Sequence, residues 1–373
     1  VKIAIISDMH LGYARFEEDS FTQAEAAFLD ADGKADCIIC AGDVFDIKIP
    51  KLETIKRAVE IFEKVKIPVF AIHGNHERRS KDLTNPVQLL ATAGTIDYLH
   101  GTGRIFEKDG EKAFILGIGS VPEEYALTAI KKCIEEVKEQ KTNDASNGQF
   151  RVLVLHQMIN ENHIEGQQCM SVEDLDGLPF DLIINGHIHD RKQFLDGRLI
   201  IPGSTVVTQL KKEETEPRGY IIFDTKTKKS EFVETKHRKF FFGEIELKDA
   251  GLEEAKNAVS EKVLDLRAKD SEAIIRIKLA GKMREGINAP DFSSDFGLDR
   301  LLFIDNTLDS ANIRERIERI KKNKDEKLSV REVALKSLEN AVSGKVSLFD
   351  PHELFEKLCI GVDEAEEYLK EKK

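Results

Sequence analysis

KIAIISDMHLGY, Lys2 to Tyr13, is the stretch whose reading decides the fold. Its apolar run, Ile3 to Ile6, shows no polar alternation and leads straight into Ser7, Asp8 and His10. A short continuous apolar run reads as a strand covered on both faces, the kind found inside an α/β sheet beneath helices. Polar side chains directly after such a strand stand at its carboxyl end, where open α/β sheets bind ligands.

The same grammar repeats along the chain. Apolar runs ADCIICA (Ala35–Ala41), VFAI (Val69–Ile72), AFILGIG (Ala113–Gly119), RVLVL (Arg151–Leu155) and DLIIN (Asp181–Asn185) read as strands. Between them lie stretches of helical periodicity, as in Leu52–Val65 and Ala126–Gln140. Lys141–Gln149 is polar and reads as a loop. From about Gln193, turn-joined strands such as FLDGRLIIPGS (Phe194–Ser204) and GYIIFDTKTKKSEFVE (Gly219–Glu234) predict a closing, hairpin-rich second sheet.

Each of five strand ends carries metal-competent side chains: Asp8 and His10, Asp43, Asn75 and His76, His156, then His187 and His189. In an open sheet all emerge along one rim. In extended backbone, both members of the D-x-H and H-x-H pairs point to one side. Nitrogen and oxygen donors without thiolate suit manganese, iron, zinc or a similar ion. Asp8, His10, Asp43, Asn75, His156, His187 and His189 are too many ligands for one ion. Two ions bridged by one carboxylate use them all, with Asp43 the central candidate. Such pairs, about 3.5–4 Å apart, clamp in-line displacement at phosphorus. His76, next to Asn75, is placed to face substrate instead and to act as general acid. His73 reads as structural. The glycines before Asp43, Asn75 and His187 allow tight turns or close backbone approach.

The ordered series SDMHLGY, GDVFD, HGNHE, VLHQ, INGHIH and IPGST resembles the calcineurin-like metallophosphoesterases and, within them, the SbcD-like (meiotic-recombination type) double-strand-break repair nucleases. The resemblance implies a sheet sandwich flanked by helices over residues 1–237. It further implies a small α/β capping, DNA-recognition domain over 238–320, and a linker with a helix-loop-helix partner-binding element over 321–373. It assigns one manganese to Asp8, His10, Asp43 and His189, and a second to Asp43, Asn75, His156 and His187, with His76 catalytic. In one branch of the family the third residue after the bridging Asp is a His; here it is Asp46. The implied activity is exonuclease action on duplex DNA ends and endonuclease action on single strands or hairpins. The implied partners are DNA, a second copy of the chain, and an ABC-type coiled-coil ATPase of the SbcC-like family engaged by the terminal helices.

Independent features agree with that picture. Arg15, Lys48, Lys51, Arg78, Arg79 and Lys81 flank the rim and are candidates for phosphate contacts. Beyond Lys321–Glu326, a charged linker, Val330, Val333, Ala334 and Leu338 mark one helix face, and Asp350-Pro351-His352-Glu353 opens a second helix. The net charge of -12 argues against a protein that coats DNA electrostatically, but not against a nuclease whose metals supply the local field. Five scattered cysteines make no disulfide framework, and Cys37-x-x-Cys40 lies in an apolar run that reads as core. With no membrane-length apolar run and no leader signature at Val1, a cytoplasmic location is expected.

Two rival readings use the same metals, a phosphomonoesterase and a cyclic-nucleotide phosphodiesterase. Phosphatases of the former type resemble GDxVDRG at the second motif. This chain has GDVFDIK, without the Arg that grips a terminal phosphate dianion. A non-catalytic DNA scaffold has no need of His76 beside seven ligands.

Overall fold

A computed structural model describes residues 1–80, 82–139, 149–161, 169–284, 299–306, 350, 353–355, 357 and 368. The chain divides into two compact units. The first comprises Val1–Gly243, Val263–Arg276 and Arg300–Phe303; the second comprises Glu244–Lys262, Ile277–Asp299 and Ile304–Lys373.

In chain order the first unit opens with β1 (Lys2–Ile6), α1 (Glu17–Asp32), β2 (Cys37–Ala41), α2 (Leu52–Phe62), β3 (Val69–Ile72), α3 (Pro86–Thr92) and β4 (Asp97–Tyr98). It continues with β5 (Thr102–Lys108), β6 (Glu111–Ile118), α4 (Ala126–Glu139), β7 (Phe150–Leu155), β8 (Ile159–Asn160), β9 (Met170–Ser171), α5 (Val172–Asp176) and β10 (Leu182–Asn185). Four short strands follow, β11 (Lys192–Phe194), β12 (Leu199–Ile201), β13 (Gly219–Asp224) and β14 (Lys229–Glu234).

These strands build two six-stranded sheets, ordered β14-β13-β1-β2-β3-β4 and β11-β12-β10-β7-β6-β5. Strands β1 to β4 run parallel, as do β6, β7, β10 and β12. The apolar runs lack alternation because each strand has a core on both faces. Ile3 and Ile5 pack between the sheets with Ile39, Ile72, Val152, Val154 and Ile184. Ala4 and Ile6 point the other way, to Phe28, Phe62 and Val87 on α1, α2 and α3. On the far side of the second sheet, Leu153, Leu155 and Ile183 meet Ile130 and Ile134 of α4 and Leu175 of α5. The result is helix, sheet, sheet, helix, the sandwich that the motif series implies. Cys37 and Cys40 are free and fully buried on opposite faces of β2, packing into the two cores that flank the first sheet.

The closing hairpins depart from expectation. They do not form a sheet of their own. The hairpin β11-β12 extends the second sheet, while β13-β14 extends the first, with β13 antiparallel to β1 through Ile222 opposite Ala4. Each covers an edge that would otherwise expose unpaired N–H and C=O groups.

In chain order β15 (Phe240–Ala250), α6 (Leu252–Lys269), β16 (Ile274–Met283) and β17 (Leu302–Asn306) follow, and the three strands form a sheet ordered β15-β16-β17. Within the second unit Leu247, Ala255, Val259, Ile277 and Leu279 are buried. The loop expected at Lys141–Gln149 lies outside the described residues except for Gln149, and so does the linker with the first terminal helix. Of the second terminal helix, Glu353–Phe355 are described and helical, and the Tyr368 hydroxyl donates to Glu353 Oε2 at 2.8 Å. Among the described residues no helix is long and apolar enough to cross a membrane.

Candidate metal centre

The parallel ladder of β1 and β2 continues past the strands into their loops. Asp8 N–H donates to Gly42 O at 3.1 Å, His10 N–H to Asp43 O at 3.0 Å and Leu11 N–H to Val44 O at 2.8 Å. That pairing holds the D-M-H and G-D segments side by side. In the second sheet Gly186 N–H donates to Leu155 O at 3.0 Å and ties the last two ligand loops together. The rim is therefore shared by two sheets, not one: Asp8, His10, Asp43, Asn75 and His76 follow β1 to β3, and His156, His187 and His189 follow β7 and β10.

The local backbone is not extended as the D-x-H and H-x-H spacing predicts. Asp8, His10, Asp43 and His187 all have positive φ, between 47° and 75°. Non-glycine residues seldom adopt this region, and such strain gathers at functional sites held by their surroundings. The sharp bends send His187 and His189 to different groups.

Three groups of side chains converge, each within metal-sharing distance: Asp8, His10 and His189; His10, Asp43 and His76; and Asp43, His156 and His187. Asn75 joins the last, its Oδ1 lying 3.0 Å from His156 Nε2 and 2.8 Å from His187 Nδ1. Asp43 thus stands between two ligand sets. Gly74 lets it: a Cβ there would collide with the Asp43 carboxylate and backbone nitrogen.

The donor set fits a pair of cations. His156 Nδ1 donates to Ala41 O at 2.7 Å, so the neutral ring turns a lone pair on Nε2 toward Asp43 Oδ2 at 3.3 Å and Asn75 Oδ1 at 3.0 Å. Three lone-pair atoms in a buried site repel unless a cation lies among them. Without one, a proton is drawn in: burial pushes the His156 imidazole down, but the Asp43 charge overrides it and the imidazole is held well above its usual range. Asp43 responds oppositely, since burial alone raises its carboxyl while His156 and His10 hold it well below the carboxylate range. A second convergence lies between His10 Nε2 and His189 Nε2, 3.2 Å apart, with Asp8 Oδ1 3.6 Å from the latter. Burial keeps His187 and His189 neutral, at about 4 and about 2.

His76 differs from the other imidazoles. Its side chain is 37% exposed where those of His10 and His156 are 2% and 0%. Its Nδ1 donates to Asp46 O at 2.5 Å, which leaves Nε2 free. Asp46 also sets a carboxylate oxygen 3.2 Å from His10 Nδ1. His73 is buried, between the Tyr98 hydroxyl at 2.7 Å and Ser120 O at 3.2 Å, a structural setting.

Several supporting residues carry no signal in local sequence. Glu77, fully buried, accepts from Phe45 N–H at 2.6 Å and Gly74 N–H at 2.7 Å, joining the second and third ligand loops. Its place in the GNHE run is the available clue. Thr208, Glu214 and Arg218 come from a region that reads only as turns and strands. Arg218 donates to His189 O at 3.0 Å and Ser204 Oγ at 3.0 Å. Of the basic candidates, Arg15, Lys48 and Lys51 are exposed, Arg78 and Arg79 are half-buried, and Lys81 lies outside the described residues.

The calcineurin-like phosphoesterase profile matches residues 1–191, half of the chain, and the eight candidate site residues lie within that range. The chain belongs to the calcineurin-like phosphoesterase family. It is therefore a phosphoester hydrolase of a family with a dinuclear metal site. The DNA double-strand break repair protein Mre11 of Archaeoglobus fulgidus is 29% identical over 328 residues, 75% of this chain and 68% of that protein. The protein of the same name from Methanosarcina mazei is 29% identical over 233 residues, 60% of this chain and 36% of that protein. This calcineurin-like chain thus spans about a third of the second relative's length. Among solved structures, TT1561 of Thermus thermophilus aligns with 17% identity and a TM-score of 0.42, over 62% of this chain and 98% of that one.

Proposed function

We propose that this phosphoesterase is a manganese-dependent DNA nuclease of double-strand-break repair, an exonuclease on duplex ends and an endonuclease on single-stranded or hairpin DNA. The observation that carries the reading is His76, half-exposed beside the buried Asp8, His10, Asp43 and His156 and anchored through Nδ1 on the Asp46 carbonyl. The names of the curated relatives and the absence of the phosphatase-type Arg in GDVFDIK favour a phosphodiester over a phosphomonoester.

Asp8, His10, Asp43 and His189 would hold one manganese, and Asp43, Asn75, His156 and His187 the other. A bound pair supplies Lewis-acid clamping of the attacking and leaving oxygens. The chain's own residues do the remainder. His76 Nε2 carries a proton to the leaving oxygen, worth roughly 10²–10⁴-fold in rate. The His76 N–H donates to Asp43 Oδ1 at 3.0 Å and keeps the bridging carboxylate turned to both ligand sets. Arg15, Lys48, Lys51, Arg78, Arg79 and Lys81 contact backbone phosphates without reading sequence. Residues 238–320 act as a DNA-recognition cap, and 321–373 as the docking element for an SbcC-like ABC-type ATPase, in a cytoplasmic homodimer.

The test is cleavage of end-labelled duplex DNA with manganese or magnesium by the wild type and His76→Ala, alongside manganese titration calorimetry. Manganese-dependent cleavage lost in His76→Ala, with metal binding intact, is expected. Brisk hydrolysis of a phosphomonoester with no cleavage of any DNA would replace this reading with the phosphatase one.

A further inference from the structure

Behind His189, on the side away from the other ligands, lies a short relay of buried groups. His189 Nδ1 is 2.6 Å from Thr208 Oγ1, and Thr208 Oγ1 is 3.4 Å from Glu214 Oε1. The Glu214 side chain is 2% exposed. Its Oε1 accepts the Thr208 N–H at 2.9 Å, and its Oε2 accepts the N–H groups of Gln209 at 2.8 Å and Lys211 at 3.2 Å. Arg218 donates to Glu214 O at 3.1 Å and so fixes the same turn from below.

A carboxylate only accepts; Glu214 Oε1 holds the Thr208 N–H and lies 3.5 Å from an Arg218 Nη, and the Thr208 hydroxyl is a further donor within its reach. A hydroxyl that gives its proton to Glu214 presents lone pairs to His189 and must receive the Nδ1–H. A neutral imidazole has one N–H, so Nε2 is then left as an unprotonated lone pair. That nitrogen faces His10 Nε2 at 3.2 Å and Asp8 Oδ1 at 3.6 Å. With the opposite tautomer, Nε2–H would occupy the space where a cation belongs.

We propose that Thr208, oriented by the Glu214 carboxylate, is the positioning residue that fixes His189 as the Nδ1–H tautomer and so makes Nε2 a ligand for the ion shared with Asp8 and His10. The inference rests on the two-metal reading above and adds to it a residue that touches neither metal nor substrate. Partners that hold the far nitrogen of a ligating imidazole raise its basicity and lock its rotation, and losing one typically weakens metal affinity 10–100-fold.

Two measurements test it. The first is the ring-nitrogen correlation spectrum of metal-free wild-type protein labelled with ¹⁵N-histidine, with His189→Gln used to assign the signal. Nδ1 of His189 is expected to carry the proton. A proton on Nε2 overturns the proposal whatever the metal content. The second is calorimetric manganese titration of wild type, Thr208→Val and Thr208→Ser. Thr208→Val keeps the side-chain shape and lacks the hydroxyl. It is expected to weaken one of the two sites about 10–100-fold and leave the other unchanged, while Thr208→Ser, which keeps the hydroxyl, binds at both sites as the wild type does. Equal binding by wild type and Thr208→Val, or a loss in Thr208→Ser as large as that in Thr208→Val, overturns it. A wild type that binds no manganese is a failure of the two-metal reading instead, and the tautomer measurement still decides the part played by Thr208.

Discussion

Glu77 and Phe45 are joined across two ligand loops, the buried carboxylate accepting the Phe45 N–H at 2.6 Å while its other oxygen accepts the Gly74 N–H at 2.7 Å. Glu77→Gln replaces one acceptor oxygen by an NH₂ group that meets an N–H head-on. A buried donor left unsatisfied costs about 1–3 kcal/mol. Urea denaturation with chelator present is expected to show a loss of that size. An unchanged midpoint would mean that the loops hold together without this carboxylate.

Gly74 offers a second check, since a Cβ there would strike Asp43. Gly74→Ala is expected to abolish manganese binding at both proposed sites, because in the two-metal proposal the displaced carboxylate serves both ligand sets. Gly177, at φ -75° with open space around its Cβ position, is the control, and Gly177→Ala is expected to bind as the wild type does. Retention of one ion in Gly74→Ala would show that Asp43 is not shared.

How far the site could be read from sequence follows from how far each interaction reaches. Apolar runs such as Lys2–Ile6 announce their strands because burial on both faces removes alternation. The ligands announce themselves because each follows such a run within a few residues. The partner of a late strand is not a local property: nothing within Gly219–Asp224 says that Ile222 will lie opposite Ala4. Glu77, Thr208 and Glu214 act through backbone N–H groups and hydroxyls that any sequence supplies, so their composition is silent about them. The split of His187 from His189 follows from a positive φ at His187, which spacing alone does not encode.

Acid stability provides a third prediction. Burial, aided by the nearby His100, depresses the His73 imidazole from 6.5 to about 3. The unfolded chain therefore binds the proton first. Stability supplied by neutral His73 is complete above pH 6.5 and is lost as the pH falls from 6.5 toward 3, with a slope approaching about 1.4 kcal/mol per pH unit. His73→Gln, which cannot titrate, is expected to be less stable at pH 7 yet to show a flatter acid limb in chelator. Parallel limbs would remove His73 from the account.

The proposed phosphate contacts of the exposed cations predict a salt dependence of DNA binding. Each phosphate contact contributes roughly 0.9 to the slope of log affinity against log salt on duplex DNA. A triple variant Arg15→Ala, Lys48→Ala, Lys51→Ala is expected to shallow that slope by up to about 3 and to weaken binding evenly across sequences. Fluorescence anisotropy from low to moderate salt reads both. An unchanged slope would place the DNA elsewhere on the surface.

Because one proposed ligand set draws Asp43 and Asn75 from the loops of the first sheet and His156 and His187 from those of the second, an ion seated there would be a rivet through the sandwich. Prising the sheets apart would require the rivet to come out. Ion concentration alone then tightens the fold, by about 2.7 kcal/mol at a hundred times the dissociation constant. Sealing of the interface between the sheets and arming of the site become one event, so a chain that has lost its ions is both idle and easier for a protease to open.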